Sequence, residues 1–357
     1  MGVVVRSLLR HTLMRRMVTV TVLLLFTAVA AVGLLVVLVV TGPFALRRGG
    51  RGRPVRFGVF LGVYLTAEWA GLLSAVWLWM RAGFGTRLAA ERHQDANYAL
   101  LTRLLGWLYV TAIRVFDLRI EVLPAKPDEL EPEPQDVADL PDRPLLVFSR
   151  HAGPGDSFLL VYALLARLHR RPRIVLKQLL ALDPLLDVLV SRMPHSFVGP
   201  GNHSADAIRQ ITTEMGPRDA LIVFPEGANF TAERRRRAMA MLRLRPLGPR
   251  STTRRAQALK NVLPPHPSGV SAAIDAAPDG SIVAFVAHTG LDHLESVAGV
   301  WDGTPLTGPV EVTWWIVPAD RVPAGADARV RWLVDNWTRV DTWIKQNHQA
   351  RERPPQP

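Results

Sequence analysis

The chain contains no cysteine. That excludes disulfides, thiolate metal sites and any thiol nucleophile. Lysine is scarce as well, at positions 126, 177, 260 and 345 only, so the formal net charge of +12 is almost all arginine. Several signatures are also missing: no P-loop, no G-x-G-x-x-G, no H-E-x-x-H and no G-x-S-x-G elbow, which removes the usual nucleotide, zincin and serine-hydrolase readings. An arginine-rich surface attracts nucleic acid and anionic lipid alike. The basic runs carry no nucleic-acid motif and no aromatic platform, so nucleic acid is not expected as a partner.

The amino-terminal part has long apolar runs. Residues 17–40 are free of charge and exceed the roughly 20 apolar residues needed to cross a hydrocarbon core. A cleaved signal peptide fits less well, because the run is too long and no A-x-A site closes it. A second run, about 57–80, holds one acid, Glu68, with Trp77 and Trp79 near its end. It reads as a second span, with a re-entrant helix as the alternative. Arginines 47, 48, 51, 53 and 56 lie between the runs; 6, 10, 15 and 16 precede them; 81, 87 and 92 follow. With two spans, tail and downstream region share one face of the membrane, and their combined arginines favour the cytoplasm.

The expected organisation is therefore a membrane anchor at 1–84, an amphipathic segment at 85–122 around Trp107 and Tyr109, and an acidic proline-rich linker at 123–143. A domain at 144–347 and a polar tail at 348–357 complete it. Short apolar runs near 144–149, 173–177, 196–198, 220–224, 282–287 and 310–317 alternate with helical patterns. This predicts an α/β fold with a largely parallel sheet flanked by helices, preceded by a transmembrane helical hairpin. Residues 326–347 read as a closing helix whose tryptophans 332, 337 and 343 belong to the core.

The chemistry concentrates after two of these strands. His151-Ala-Gly-Pro-Gly-Asp156 follows Pro144-Leu-Leu-Val-Phe-Ser149. A histidine and an aspartate five positions apart do not share a helical face. They meet if the chain doubles back, and Gly153-Pro154-Gly155 is turn chemistry for that. An imidazole held by a carboxylate keeps one tautomer and becomes a stronger base. The alternative is that Asp156 only caps the next helix. The second string, Leu221-Ile-Val-Phe224-Pro225-Glu226-Gly227, also ends a strand abruptly. In open α/β sheets, ligands bind beyond the carboxyl ends of the strands.

With H-x4-D upstream and F-P-E-G downstream, residues 144–317 resemble the glycerolipid acyltransferase superfamily, which includes 1-acylglycerol-3-phosphate acyltransferases. The resemblance implies that His151 is the general base for an acceptor hydroxyl and Asp156 its orienting partner. It implies that Phe224, Pro225, Glu226 and Gly227 help position the acceptor, and that Lys177 sits in a strand-to-helix passage near the site. The acyl donor would be an acyl thioester of CoA or acyl carrier protein, the acceptor a lysophospholipid, and no further cofactor is implied. Lacking cysteine, the chain would form no thiol-bound acyl-enzyme.

Phe224 to Thr231 and Leu263-Pro-Pro-His-Pro-Ser-Gly269 are similar to the branch containing lysocardiolipin and lysophosphatidylinositol acyltransferases. This chain departs from that pattern. Ala228 stands for the usual threonine, Asn229 for a frequent arginine and His266 for another. After Phe197 no arginine occurs until Arg209. Because guanidinium is the natural fork for phosphate, Arg209, Arg234 and Arg235 become candidate substitutes, with the helix start after Gly201-Asn-His-Ser204. His288, Asp292 and His293 could be drawn as metal ligands, but three such residues on one loop are a common accident, and no metal is expected. A degenerate lipid-binding scaffold of the same fold is the alternative function.

Overall fold

Every residue of β2 (Leu145–Ser149) and of β5 (Asp219–Val223) is buried, as expected for strands covered by helices on both faces. They form the middle of a seven-stranded sheet of order β1-β7-β6-β2-β5-β3-β4 in a computed structural model. The other strands are β1 (Ile120–Val122), β3 (Arg171–Lys177), β4 (His195–Val198), β6 (Ile282–Thr289) and β7 (Val310–Val317). The structure describes residues 11–47, 52–123, 142–153, 155–198, 204–292, 294, 297–318 and 321–352. Most of the acidic linker, Pro154, the 199–203 stretch and His293 therefore lie outside the described residues.

The pairings follow the apolar registers. Leu145 opposes Ala220 on one side and Ile282 on the other, both in parallel ladders. β3 joins β5 in parallel from Arg171↔Asp219 to Ile174↔Ile222. β6 and β7 are antiparallel, Val283 opposing Val317, and β1 lies parallel to β7. The sheet is thus mostly parallel and flanked by helices, as the alternating pattern predicts. β1, only three residues long, was not expected; a run that short carries no readable period.

The chain divides into two compact units. The first comprises the described residues of Met1–Leu118, Val175–Asn202 and Thr304–Thr307. It contains α1 (Thr12–Arg47), α2 (Arg53–Arg81), α3 (Glu91–Phe116) and α5 (Pro184–Val190), together with β4 and the end of β3. By length and composition α1, α2 and α3 are all able to cross a membrane. The sequence predicts two spans followed by an amphipathic segment at 85–122. α3 differs because Arg103 and Arg114 dilute its apolar face, yet Tyr98, Leu100, Leu101 and Leu104 are buried. Gly71 of α2 lets neighbours come close: a Cβ there would lie 2.6 Å from Leu185 and 2.9 Å from Leu104. Asp187 of α5 accepts from Arg15 at 2.7 Å and Arg16 at 3.0 Å, which ties α1 to α5.

The second unit, the described residues of Arg119–Ile174, His203–Gly303 and Gly308–Pro357, carries most of the sheet. Its helices are α4 (Asp156–Ala166), α6 (Ser204–Thr213), α7 (Ala232–Leu244), α8 (Arg250–Ala258), α9 (Pro267–Ala276), α10 (Val297–Asp302) and α11 (Ala326–Glu352). Phe285 of β6 anchors the core, with ring centroids 5.5 Å from Phe148, 5.6 Å from Trp315 and 5.3 Å from Trp332. Trp337 of α11 is fully buried and donates to the Leu263 carbonyl at 3.0 Å. That bond fixes the loop before α9, which matters for the site.

Candidate active site

His151 lies two residues past the end of β2, and Asp156 opens α4. The intervening chain turns back at Gly155, whose φ of +100° suits glycine. The imidazole Nδ1 then sits 2.9 and 3.1 Å from the two Asp156 oxygens. An ionised carboxylate only accepts, so Nδ1 carries the proton and Nε2 is left as the basic lone pair.

Asp156 is held from several directions. Its Oδ2 accepts the backbone N–H groups of Ala152 at 2.8 Å and Gly153 at 3.2 Å. Its Oδ1 accepts from the Ser157 N–H at 2.5 Å and the Ser157 hydroxyl at 3.1 Å. Burial works to raise its pKa, but the bond to His151, the proximity of His288 and the amide bonds outweigh this and hold it below the ordinary carboxylate value. The helix-cap reading and the dyad geometry coexist, since one carboxylate serves the turn, the start of α4 and the imidazole. Exposure separates the two side chains: Asp156 is 3% exposed and His151 21%.

The F-P-E-G string meets this turn from β5. Phe224 stacks on the His151 ring, centroids 4.6 Å apart and planes 30° from parallel. Glu226 is buried, and its two oxygens accept the backbone N–H of His151 at 3.0 Å and of Leu263 at 2.8 Å. Its carboxylate thus grips two loops. Burial pushes its pKa up to about 8, against the pull of Arg150 and the two N–H bonds. Pro225 accepts from the His266 N–H at 2.8 Å, and the His151 carbonyl accepts from the Phe230 N–H at 2.7 Å. Gly227 has φ +68°, and a Cβ there would stand 3.2 Å from the His266 ring. Its own N–H closes a turn onto the Phe224 carbonyl at 3.0 Å.

The candidate cations are dispersed. Arg209, on α6, is exposed and lies 3.5 Å from Asp206. Arg234 donates to the Asn229 carbonyl at 3.1 Å and to its side chain, so it stays beside the F-P-E-G loop. Arg235 spends its Nε and Nη2 on the Leu259 carbonyl at 2.9 and 2.7 Å. Lys177 is exposed at the end of β3 and groups with the first unit.

Arg150, which the sequence reading does not single out, and His288, which it considers only as a metal ligand, complete the constellation. Arg150 is fully buried and donates to the carbonyls of His288 at 2.6 Å and Asn261 at 2.9 Å, and to the Asp292 carboxylate. His288 is also buried; its Nε2 lies 3.1 Å from the Arg150 carbonyl and 3.8 Å from Asp156. Burial, then the charge of Arg150, lowers the His288 pKa. Asp292 also accepts from Thr289 at 2.7 Å and lies 3.5 Å from His348. Its carboxylate is thereby committed to protein donors. Among the described residues no cluster of three or more potential ligands could hold a metal ion.

Residues 129–287, a little under half of the chain, match the family model described as Acyltransferase. That stretch contains both loops just described and supports acyl transfer as the general chemistry. No curated protein matches the chain.

Proposed function

We propose, from the premise of an acyltransferase-family domain at residues 129–287, that this protein transfers a fatty acyl group from an acyl thioester to a lysophospholipid hydroxyl. The donor is acyl-CoA or acyl carrier protein, and 1-acylglycerol-3-phosphate is the type of acceptor. The observation carrying this reading is the 2.9 Å contact between His151 Nδ1 and Asp156 beyond the carboxyl ends of parallel strands.

In this mechanism His151 Nε2 takes the proton from the acceptor hydroxyl as its oxygen attacks the thioester carbonyl. The tetrahedral oxyanion collapses, the C–S bond breaks, and the imidazolium returns its proton to the departing thiolate. Asp156 stabilises the imidazolium and holds its ring. The ester product and a free thiol leave. With no cysteine in the chain, no thiol-bound acyl-enzyme lies between donor and acceptor.

In this reading the catalytic domain belongs on the cytoplasmic face of a membrane that the amino-terminal helices are able to span by length and composition. The test is thiol release by purified full-length protein in detergent, given acyl-CoA or acyl carrier protein and a lysophospholipid panel. Release that depends on a lysolipid and is lost in His151→Ala supports the proposal. One specific observation favours a second reading, a non-catalytic lipid-binding scaffold: Asn229 and His266 occupy positions where the resembled branch carries arginines. A panel silent with both donors would select it.

A further inference from the structure

The outer face of α7 has a composition that acyl transfer leaves unused. Residues 231–260 hold nine arginines and one lysine against one glutamate, Glu233. Leu242 buries with Ala256 and Val334, and Met239 packs on the same cluster, which defines the inward side of α7. At 100° per residue, Arg237, Ala240, Met241 and Leu244 share the opposite stripe. There Met241 is 51% and Leu244 77% exposed. Exposed Arg236, Arg243 and Arg245 flank them. Arg237 reaches back to Glu233, and Arg234 to Asn229.

Single exposed apolar side chains are ordinary. Two on one stripe inside a frame of guanidinium groups match a helix lying in the headgroup layer of an anionic bilayer. We propose that α7 is a second membrane contact, with Met241 and Leu244 entering the acyl boundary and Arg236, Arg243 and Arg245 resting on lipid phosphates. The charge complementarity selects anionic lipid, and α1 to α3 are by length and composition able to cross a bilayer. Thr231 caps the start of α7 and directly follows Phe230, whose N–H is bonded to the His151 carbonyl. The contact therefore anchors the rim of the site at the depth where a lipid hydroxyl lies. An acidic carrier protein is the competing occupant of such a face.

A chain without cysteine allows a clean test. Full-length Leu244→Cys and, separately, Met241→Cys are labelled with an environment-sensitive fluorophore. Each is placed in nanodiscs of phosphatidylcholine alone or with phosphatidylglycerol. Blue-shifted emission and quenching by doxyl lipid, several-fold stronger with phosphatidylglycerol and weakened by Arg243→Glu with Arg245→Glu, are the expected results. A probe open to iodide and untouched by doxyl lipid in both discs overturns the proposal. So does a probe that responds only when acyl carrier protein is added. Equal quenching in both discs overturns the role given to the arginines. The readout is membrane contact and does not require turnover, so it stands or falls apart from the catalytic reading.

Discussion

Glu226 accepts the backbone N–H of His151 across 75 positions of sequence, at 3.0 Å, while its other oxygen holds Leu263. The two motifs are joined through the main chain. The acid of F-P-E-G places the histidine loop whatever side chain position 151 carries.

Glu226→Gln keeps the shape but turns one acceptor into a donor. The amide oxygen serves one N–H, and the NH2 then faces the other. The expected cost is about 1–3 kcal/mol, read as a lower unfolding midpoint in detergent.

The same variant tests a pH dependence. The folded pKa of Glu226, about 8, lies above its ordinary value of 4.5. The folded state therefore binds this proton more tightly than the unfolded chain, and its contribution is fully present below 4.5. Stability falls as pH rises from about 4.5 to about 8, and Glu226→Gln flattens that slope. A midpoint-versus-pH series on both proteins checks the sign.

His151→Ala separates chemistry from structure, because the Glu226 bond uses the backbone N–H that alanine retains. Thiol release should vanish while the unfolding midpoint moves little.

Asp156→Asn leaves the turn one acceptor oxygen and frees the imidazole to adopt either tautomer. A loss in kcat on the order of 10² to 10⁴ is expected. Asp156 titrates below its ordinary value, so it stabilises the fold above pH 3.8 and loses that contribution as pH drops through the depressed pKa. The Asn variant should lack this acid-side loss.

Arg150→Met removes a buried cation from the Asn261 and His288 carbonyls and from Asp292. Leaving two carbonyls without this donor and weakening the hold on the partly exposed Asp292 carboxylate costs about 1–3 kcal/mol, enough to reduce the yield of folded protein. Arg150→Lys should recover only part, since an ammonium cannot span three acceptors with a planar fork. Thermal unfolding of the two variants gives the order.

Legibility differed by kind of feature. The six longer strands were readable because parallel-sheet strands are continuous apolar runs bounded by turns. The proximity of His151 and Asp156 was readable because glycines 153 and 155 bracket a local turn. α3 was half readable: its apolar residues showed, but its packing on α2 did not. Arg150 gave no signal, since an arginine after a strand ordinarily reads as surface. His288 could be drawn only as a metal ligand, a reading the sequence does not favour, because nothing local reveals that Arg150 lies next to it.

The amino-acid string alone determined the apolar spans, the strand-turn-helix units and the residue types at the two loop motifs, all of which depend on spacing within a few positions. Only the tertiary structure decided which buried polar groups satisfy one another. Glu226 with His151, and Arg150 with Asp292, are 75 and 142 positions apart. A buried polar side chain takes whatever complementary donors or acceptors the folded chain brings within 3 Å or so, and no local pattern encodes that choice.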